Sequence, residues 1–459
     1  MLSHAFPEGR CGIDREAIDR SALIDWYLRN RARSSALFEL LSDDAYYSRP
    51  IALRHPIVFY EGHLPAFSFN TLVKRGLGGD SIDAALERLF ARGIDPHDTD
   101  GAPDDPVAVA RLWPSRDTVR QFAAEVDRRV LDALGSGDIE QPGHPLLDRA
   151  EAAYCILEHE AMHHETLLYM WHRLPFAHKR RPTGYLPITV GHVPESDFVT
   201  VPAGEAVLGV AATRERFTWD NERPALVATV PAFRIERHDV TNHAFMAFVA
   251  AEGYRDPQWW TPADWAWRAE TALDHPTFWE RDGDQWWWRG MFERVRLPGS
   301  WPVYVSQAEA AAFARWRGAR LPTEAEYQRA AFGTPAGSPR RYPWGAELPA
   351  ARHGVFDLAR FDPSPVGTHP NGDSAWGIAD LMGNGWEWTS SVFAPFPGFT
   401  PLPSYPEYSA DFFDGEHYVL KGASPATATG LLRPTFRNWF RPRYPYVYAT
   451  FRCVTGITS

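Results

Sequence analysis

Cysteine is nearly absent: Cys11, Cys155 and Cys453 are the only three in 459 residues. Thiols so few, odd in number and widely spaced exclude a disulfide framework and suit a reducing compartment, so a cytoplasmic location is expected. A basic surplus is also missing. The 47 Lys and Arg stand against 58 Asp and Glu, a net charge of −11, which argues against a nucleic-acid partner. No run of 18 apolar residues occurs, so neither a membrane span nor a membrane partner is expected. The N-terminus lacks a cationic segment followed by an apolar stretch, so no secretory signal is expected. No internal repeat of fixed period is present.

What is there reads as two unlike halves. Hydrophobic residues at 44% and charged residues at 23% are those of a soluble globular protein;. The length calls for two or three domains. Helical spacing of apolar residues predicts helices over 15–41, 80–91, 115–134 and 150–171, with Asp80-Ser81 and Ser115 as N-caps. Four helices with polar connections suggest an antiparallel bundle, an architecture whose core often holds metal. Residues 176–194, rich in Gly and Pro, read as a linker. The expected domains are therefore 1–190 and 195–459. Beyond the linker, short β-segments alternate with turns, interrupted by one clear helix at 306–317 capped by Ser306. Nineteen Trp, with 39 Pro and 34 Gly, point to a loop-rich fold whose rings are core packing first and ligand contacts second.

Chemistry concentrates in His159-Glu160-Ala161-Met162-His163-His164-Glu165. Residues at i and i+4 share a helix face, so His159 and His163 can converge on one ion. The alternative is a partly exposed polar face, but acidic neighbours favour metal. Glu160 and Glu165 are expected to orient the imidazoles, and His164 points off the metal face. The same letters spell H-E-x-x-H, the zinc peptidase helix. That reading needs a later third ligand, His172 or His178, and leaves the second half without a role.

Several segments of that half carry a resemblance. They are 198–209, Val240-Thr241-Asn242, 319–326, Tyr342-Pro343-Trp344-Gly345, Met382-Gly383-Asn384-Gly385-Trp386-Glu387-Trp388-Thr389 and Phe451-Arg452-Cys453. In order, they resemble the formylglycine-generating-enzyme (C-type-lectin-like) fold. The copper-binding cysteine pair of those enzymes has no counterpart. Such a domain behind a bundle with His-x-x-x-His-x-Glu resembles the ergothioneine sulfoxide synthase family. The fold expected is then α+β, a DinB-like four-helix bundle followed by the lectin-like domain.

The resemblance implies a non-haem Fe(II) enzyme that uses O2 to join a chalcogen to imidazole C2 of hercynine (trimethylhistidine). It implies iron ligands His159, His163 and His63, the last from Tyr60-Glu61-Gly62-His63-Leu64, a stretch that otherwise reads as loop. It implies that Asn438 and Trp439 hold hercynine. Where the γ-glutamylcysteine enzymes carry Asp and, four residues on, Arg, this chain has Phe440 and Tyr444; Arg441 and Arg443 lie nearby. Two aromatic rings in place of a charged clamp resemble the selenoneine synthase branch, whose donor is a selenosugar. The alternative is a sulfoxide synthase using γ-glutamylcysteine or cysteine; a zinc peptidase and a non-catalytic lectin-like binding module stand further off. The family's proton-donating Tyr has only Phe396 and Phe399 near its expected place, with Tyr405 and Tyr408 following. A substrate-contacting Gln corresponds to Met162, and Arg111 or Arg116 to a substrate-contacting Arg.

Overall fold

Asp19 accepts the Ala22 N–H and starts the first helix, α1 (Arg20–Glu39);. The computed structural model describes residues 18–91, 105–211 and 215–457. Cys11 and the first residues of the expected 15–41 helix lie outside them. Then come α2 (Ile57–Ser68), which runs on as a π-helical turn over Phe69–Gly76, α3 (Ala84–Leu89), α4 (Pro106–Ala110), α5 (Arg116–Ser136) and α6 (Glu151–Arg173). Ser115 caps α5 as expected, accepting from the Thr118 N–H.

The bundle consists of α1, α2, α5 and α6. This corrects the expectation that a helix over 80–91 is its second member. Only Ala84–Leu89 is helical there, capped by Asp83. The missed member is α2, in which 11 of 12 residues are buried. A helix enclosed on every side shows no polar stripe, so the period that reveals surface helices is absent. Pro65 inside it removes a further helix signal;.

The described residues of the second half form twelve short strands: β1 (Phe198–Val201), β2 (Gly204–Leu208), β3 (Leu226–Val230), β4 (Phe233–Glu236), β5 (Trp279–Asp282), β6 (Gln285–Arg289), β7 (Arg294–Arg296), β8 (Gly385–Val392), β9 (Tyr418–Ala423), β10 (Asn438–Phe440), β11 (Ala449–Thr450) and β12 (Val454–Gly456). The sheet that matters for the site has the order β10-β9-β8-β11. In it β10 pairs antiparallel with β9, Trp439 opposite Val419. Helices α7 (Asn242–Ala250), α8 (Pro262–Glu270), α9 (Gln307–Trp316), α10 (Glu324–Phe332) and α11 (Glu407–Ala410) pack among long loops. Ser306 caps α9 in a reciprocal box with Glu309;.

Tryptophan fills this core, with Trp219, Trp279, Trp288, Trp301, Trp386 and Trp388 among the largest fully buried side chains. Glu387, between two of them, pairs with the buried Arg452 at 2.6 Å. Among the described residues no helix is long and apolar enough to cross a membrane.

Candidate metal centre

One turn of α6 separates His159 from His163 and sets their ring centroids 4.5 Å apart. His63 comes from α2, not from a loop, and its ring lies 5.1 Å from each of the other two. One nitrogen from each of the three lies within 4.8 Å of the other two. Phe67, one turn beyond His63, stacks on His159 at 3.5 Å and fixes its plane.

Position 62 explains why His63 is preceded by glycine. A Cβ there would sit 2.5 Å from the Phe90 ring. Phe90 can therefore press against the helix, and its carbonyl lies 2.7 Å from His63 Nδ1. A carbonyl only accepts, so Nδ1 holds the proton and Nε2 presents its lone pair, the arrangement that orients metal-binding histidines.

Burial pushes His63 down to about 4. It pushes His159 and His163 well below the ordinary histidine value, with the neighbouring imidazoles adding to the effect. All three are neutral near pH 7, the form that binds metal. His63 Nε2, both nitrogens of His159 and Nδ1 of His163 are buried without a hydrogen-bond partner. Unpaired buried polar atoms are costly, and an ion held among them removes that cost. Three imidazoles without thiolate or carboxylate fit a divalent transition metal, iron included, with positions left for other ligands.

The acidic neighbours do not behave as expected. Glu160 turns into the bundle, accepting from Arg31 at 2.9 Å and Ser34 at 2.6 Å. Glu165 reaches the second half instead, accepting from Trp386 Nε1 at 2.8 Å, Ser424 at 2.7 Å and Thr427 at 3.0 Å. Burial pushes Glu165 up to about 7 against the pull of these donors. Neither carboxylate hydrogen-bonds an imidazole, because helical geometry turns positions i+1 and i+6 off the His159 face. His164 also faces away and bonds Ser34 at 2.9 Å.

This geometry removes the zinc peptidase reading, since Glu160 cannot serve a water at the triad. His172 is not a ligand either: it is held by Tyr448 at 3.2 Å and the Arg289 carbonyl. His178 is absent from the histidine cluster.

A cavity of about 170 Å³ opens on His159 and His163. Asn438, Trp439 and Phe440 line it from β10, with Tyr405, Tyr408 and Phe412 beside them. Asn438 Oδ1 accepts the Trp439 N–H at 2.9 Å, which leaves its Nδ2 to donate. Tyr444 stands one layer back, stacked on Phe440 at 5.4 Å and 2°. Arg441 and Arg443 do not line the cavity, and Arg443 pairs with Asp264 at 2.9 Å.

Arg54 is a lining residue that sequence reasoning missed. Its Nε donates to Tyr444 Oη at 3.1 Å, and its guanidinium lies 5.7 Å from the Tyr169 ring centre. It sits in a turn before α2, where no periodicity marks it. Neither Arg111 nor Arg116 lines the cavity, and Arg116 pairs with Glu61 at 3.2 Å. Met162 does line it, with Tyr408 Oη 3.2 Å from its sulfur. Tyr405 places its ring 6.0 Å from His159.

The two halves are tied beside the triad. Arg433 donates to Glu158 of α6 at 2.8 Å and to Glu222 of the second half at 2.6 Å. Burial pushes Glu222 up, but Arg433, Thr435 and the Trp219 N–H together hold it below the ordinary glutamate value.

Residues 27–167 match the DinB superfamily, and residues 188–457 match the sulfatase-modifying factor enzyme 1-like domain. The fold is thus α+β, a helical DinB-type bundle followed by a domain of the formylglycine-generating type. Hercynine oxygenase of Mycolicibacterium smegmatis is 40% identical over 349 residues, 74% of this chain and 78% of that protein. Hercynine oxygenase of Mycolicibacterium thermoresistibile is 38% identical over 437 residues, 92% of each chain. The chain belongs to the hercynine oxygenase family. Ergothioneine biosynthesis protein 1 of Neurospora crassa is more distant, 26% identical over 91% of this chain and 56% of its own length.

Proposed function

We propose that this chain is an O2-dependent non-haem iron enzyme that joins a chalcogen to imidazole C2 of hercynine. Its metal would be Fe(II), held by His63, His159 and His163. The observation that carries the reading is a cluster of three neutral imidazoles, two of which, His159 and His163, open on the cavity that Asn438 and Trp439 line. When bound, iron supplies the one-electron chemistry that dioxygen requires.

The chain's own groups do the rest. Trp439 offers its π-face to the trimethylammonium, and Asn438 Nδ2 donates to the substrate. The cavity between the halves holds hercynine and the donor side by side, so positioning accounts for much of the rate. Tyr405, its ring 6.0 Å from that of His159, is the candidate to supply a proton there. Tyr405→Phe is expected to lower turnover by about 10²-fold or more while leaving iron content, measured by metal analysis, unchanged.

The donor reading favoured by the relatives is a sulfur compound, γ-glutamylcysteine or cysteine, because one of them is named for ergothioneine biosynthesis. Arg54 supports it by offering a cation to a carboxylate. A second reading, a selenosugar giving selenoneine, is favoured by one observation: Phe440, backed by Tyr444, presents an aromatic wall where an ammonium group would need an acid. The test is a competition. The protein is loaded with Fe(II) and given hercynine, O2, γ-glutamylcysteine and a selenosugar together, and products are identified by mass spectrometry. A hercynyl sulfoxide in excess supports the sulfur reading, and a selenium-bearing product the second. Neither product would sink the proposal. Phe440→Asp is expected to shift the product ratio about tenfold or more toward sulfur, since a charged hydrogen bond is worth about 1.5–3 kcal/mol.

A further inference from the structure

Five of the lining residues, His159, Met162, His163, Thr166 and Tyr169, belong to α6. Their spacing of three and four keeps them on one stripe of the helix. Met162 and Tyr169 are seven residues apart, so the stripe runs about 10 Å from one to the other. Its two ends meet different walls. Met162 meets Tyr408, whose ring lies 5.1 Å from Trp439, the ring proposed to face the trimethylammonium. Tyr169 meets Phe440, edge-on at 6.4 Å. With hercynine at the Met162 end, the stretch from Thr166 to Tyr169 is left for the second reactant.

The far end of that stretch is rigid. Tyr444 packs edge-on against Tyr169 at 6.2 Å, and the Arg54 guanidinium stands over both rings, 5.7 and 5.4 Å from their centres. Tyr169 is 2% exposed, and its Oη is buried without a hydrogen-bond partner. Thr166 and Tyr444 neighbour that oxygen, yet neither meets it in hydrogen-bonding geometry. Tyr444 Oη accepts from Arg54 Nε at 3.1 Å instead. Burial pushes Tyr169 above the ordinary tyrosine value, so Oη keeps its proton and can donate. A buried hydroxyl left unpaired is costly, and a bound acceptor removes that cost.

We propose that Tyr169 determines which chalcogen donor is accepted: its Oη donates to an oxygen on the donor's tail, while the chalcogen stays at the metal end of the stripe. The inference rests on the proposed function. His163 and Tyr169 are six residues apart, so that oxygen lies about 9 Å along α6 from the metal ligands. A carboxylate and a sugar hydroxyl both supply such an acceptor. A bare alkyl thiol does not, and it would leave the hydroxyl buried and unpaired.

The test is Tyr169→Phe, which removes the hydroxyl and keeps the ring. Turnover is measured on the Fe(II)-loaded protein at saturating hercynine, with γ-glutamylcysteine and a selenosugar in turn. For the donor that the wild type uses, KM is expected to rise about fivefold or more in the variant with kcat nearly unchanged, the signature of lost donor binding. A rise of about ten- to a hundredfold marks a carboxylate oxygen and a smaller one a hydroxyl, since hydrogen bonds to charged groups are the stronger. Calorimetry of hercynine alone on the anaerobic protein is expected to give the wild-type affinity. Thermal unfolding of the free protein is expected to give a melting temperature no lower than wild type, because the deleted hydroxyl has no partner to lose. An unchanged donor KM, a matching loss of hercynine affinity or a clear drop in melting temperature overturns the assignment of Tyr169. A wild type that joins neither donor to hercynine overturns the proposed function and this inference with it, and that result is read before any variant is made.

Discussion

His163→Ala is expected to lose metal binding and turnover together. Removing a group that only orients a ligand typically costs 10–100-fold in affinity or activity, so removing a ligand itself should exceed about 100-fold. The stability readout is equally sharp. Metal that binds only the folded state adds about 2.7 kcal/mol at a hundredfold excess over its dissociation constant. Wild-type protein stripped with a chelator should gain melting temperature when Fe(II) is restored anaerobically, and His163→Ala should not. Its metal-free form should still fold, because the deleted ring has a buried Nδ1 without a partner. Equal stabilisation of both proteins by Fe(II) would remove His163 from the ligand set. The same experiment on His63→Ala tests whether α2 contributes a ligand across the bundle.

The second large effect concerns Arg433, whose side chain is 17% exposed between Glu158 at 6% and Glu222 at 0%. Removing one partner of a buried ion pair leaves charge without compensation and costs about 3–5 kcal/mol. Arg433→Met is therefore expected to lower the denaturant midpoint strongly and, through Glu158, to disturb the neighbouring His159. Adding Glu222→Gln to that variant removes one of the stranded charges and should restore part of the loss. Thermal or denaturant unfolding checks both. A stability change below about 1 kcal/mol, the median for surface pairs, would mean that water reaches the network.

The chemistry of this chain was unevenly legible in its residues. His159 and His163 were visible because a four-residue spacing on a helix is a geometric statement. The helix carrying His63 was invisible for the opposite reason: burial on all sides erases the amphipathic pattern, so the residue read as a loop histidine. Asn438, Trp439 and Phe440 were reached only through resemblance, since a three-residue strand has too little pattern to announce itself. Tyr444, paired with Phe440 by the resemblance, stands behind it in the fold, a difference of one packing layer that spacing alone does not encode. Arg54 and Tyr169 lay outside every motif, and only the folded cavity brings them to the same place. Glu160 and Glu165 were misread because their closeness in sequence to the ligands suggested closeness in space, whereas the helix turns one into the bundle and the other toward the lectin-like half.

That last pair bears on modularity. The chain reads as two exchangeable units joined by a linker, yet α6 carries two carboxylates, Glu158 and Glu165, whose hydrogen-bond donors all belong to the other unit. A chimera that grafts this bundle onto a foreign lectin-like partner would strand both acids unless the graft brings counterparts of Arg433, Trp386, Ser424 and Thr427. Recombination between relatives is therefore constrained at a handful of positions far from the linker. Either half expressed alone would lose the contacts that seat the metal helix.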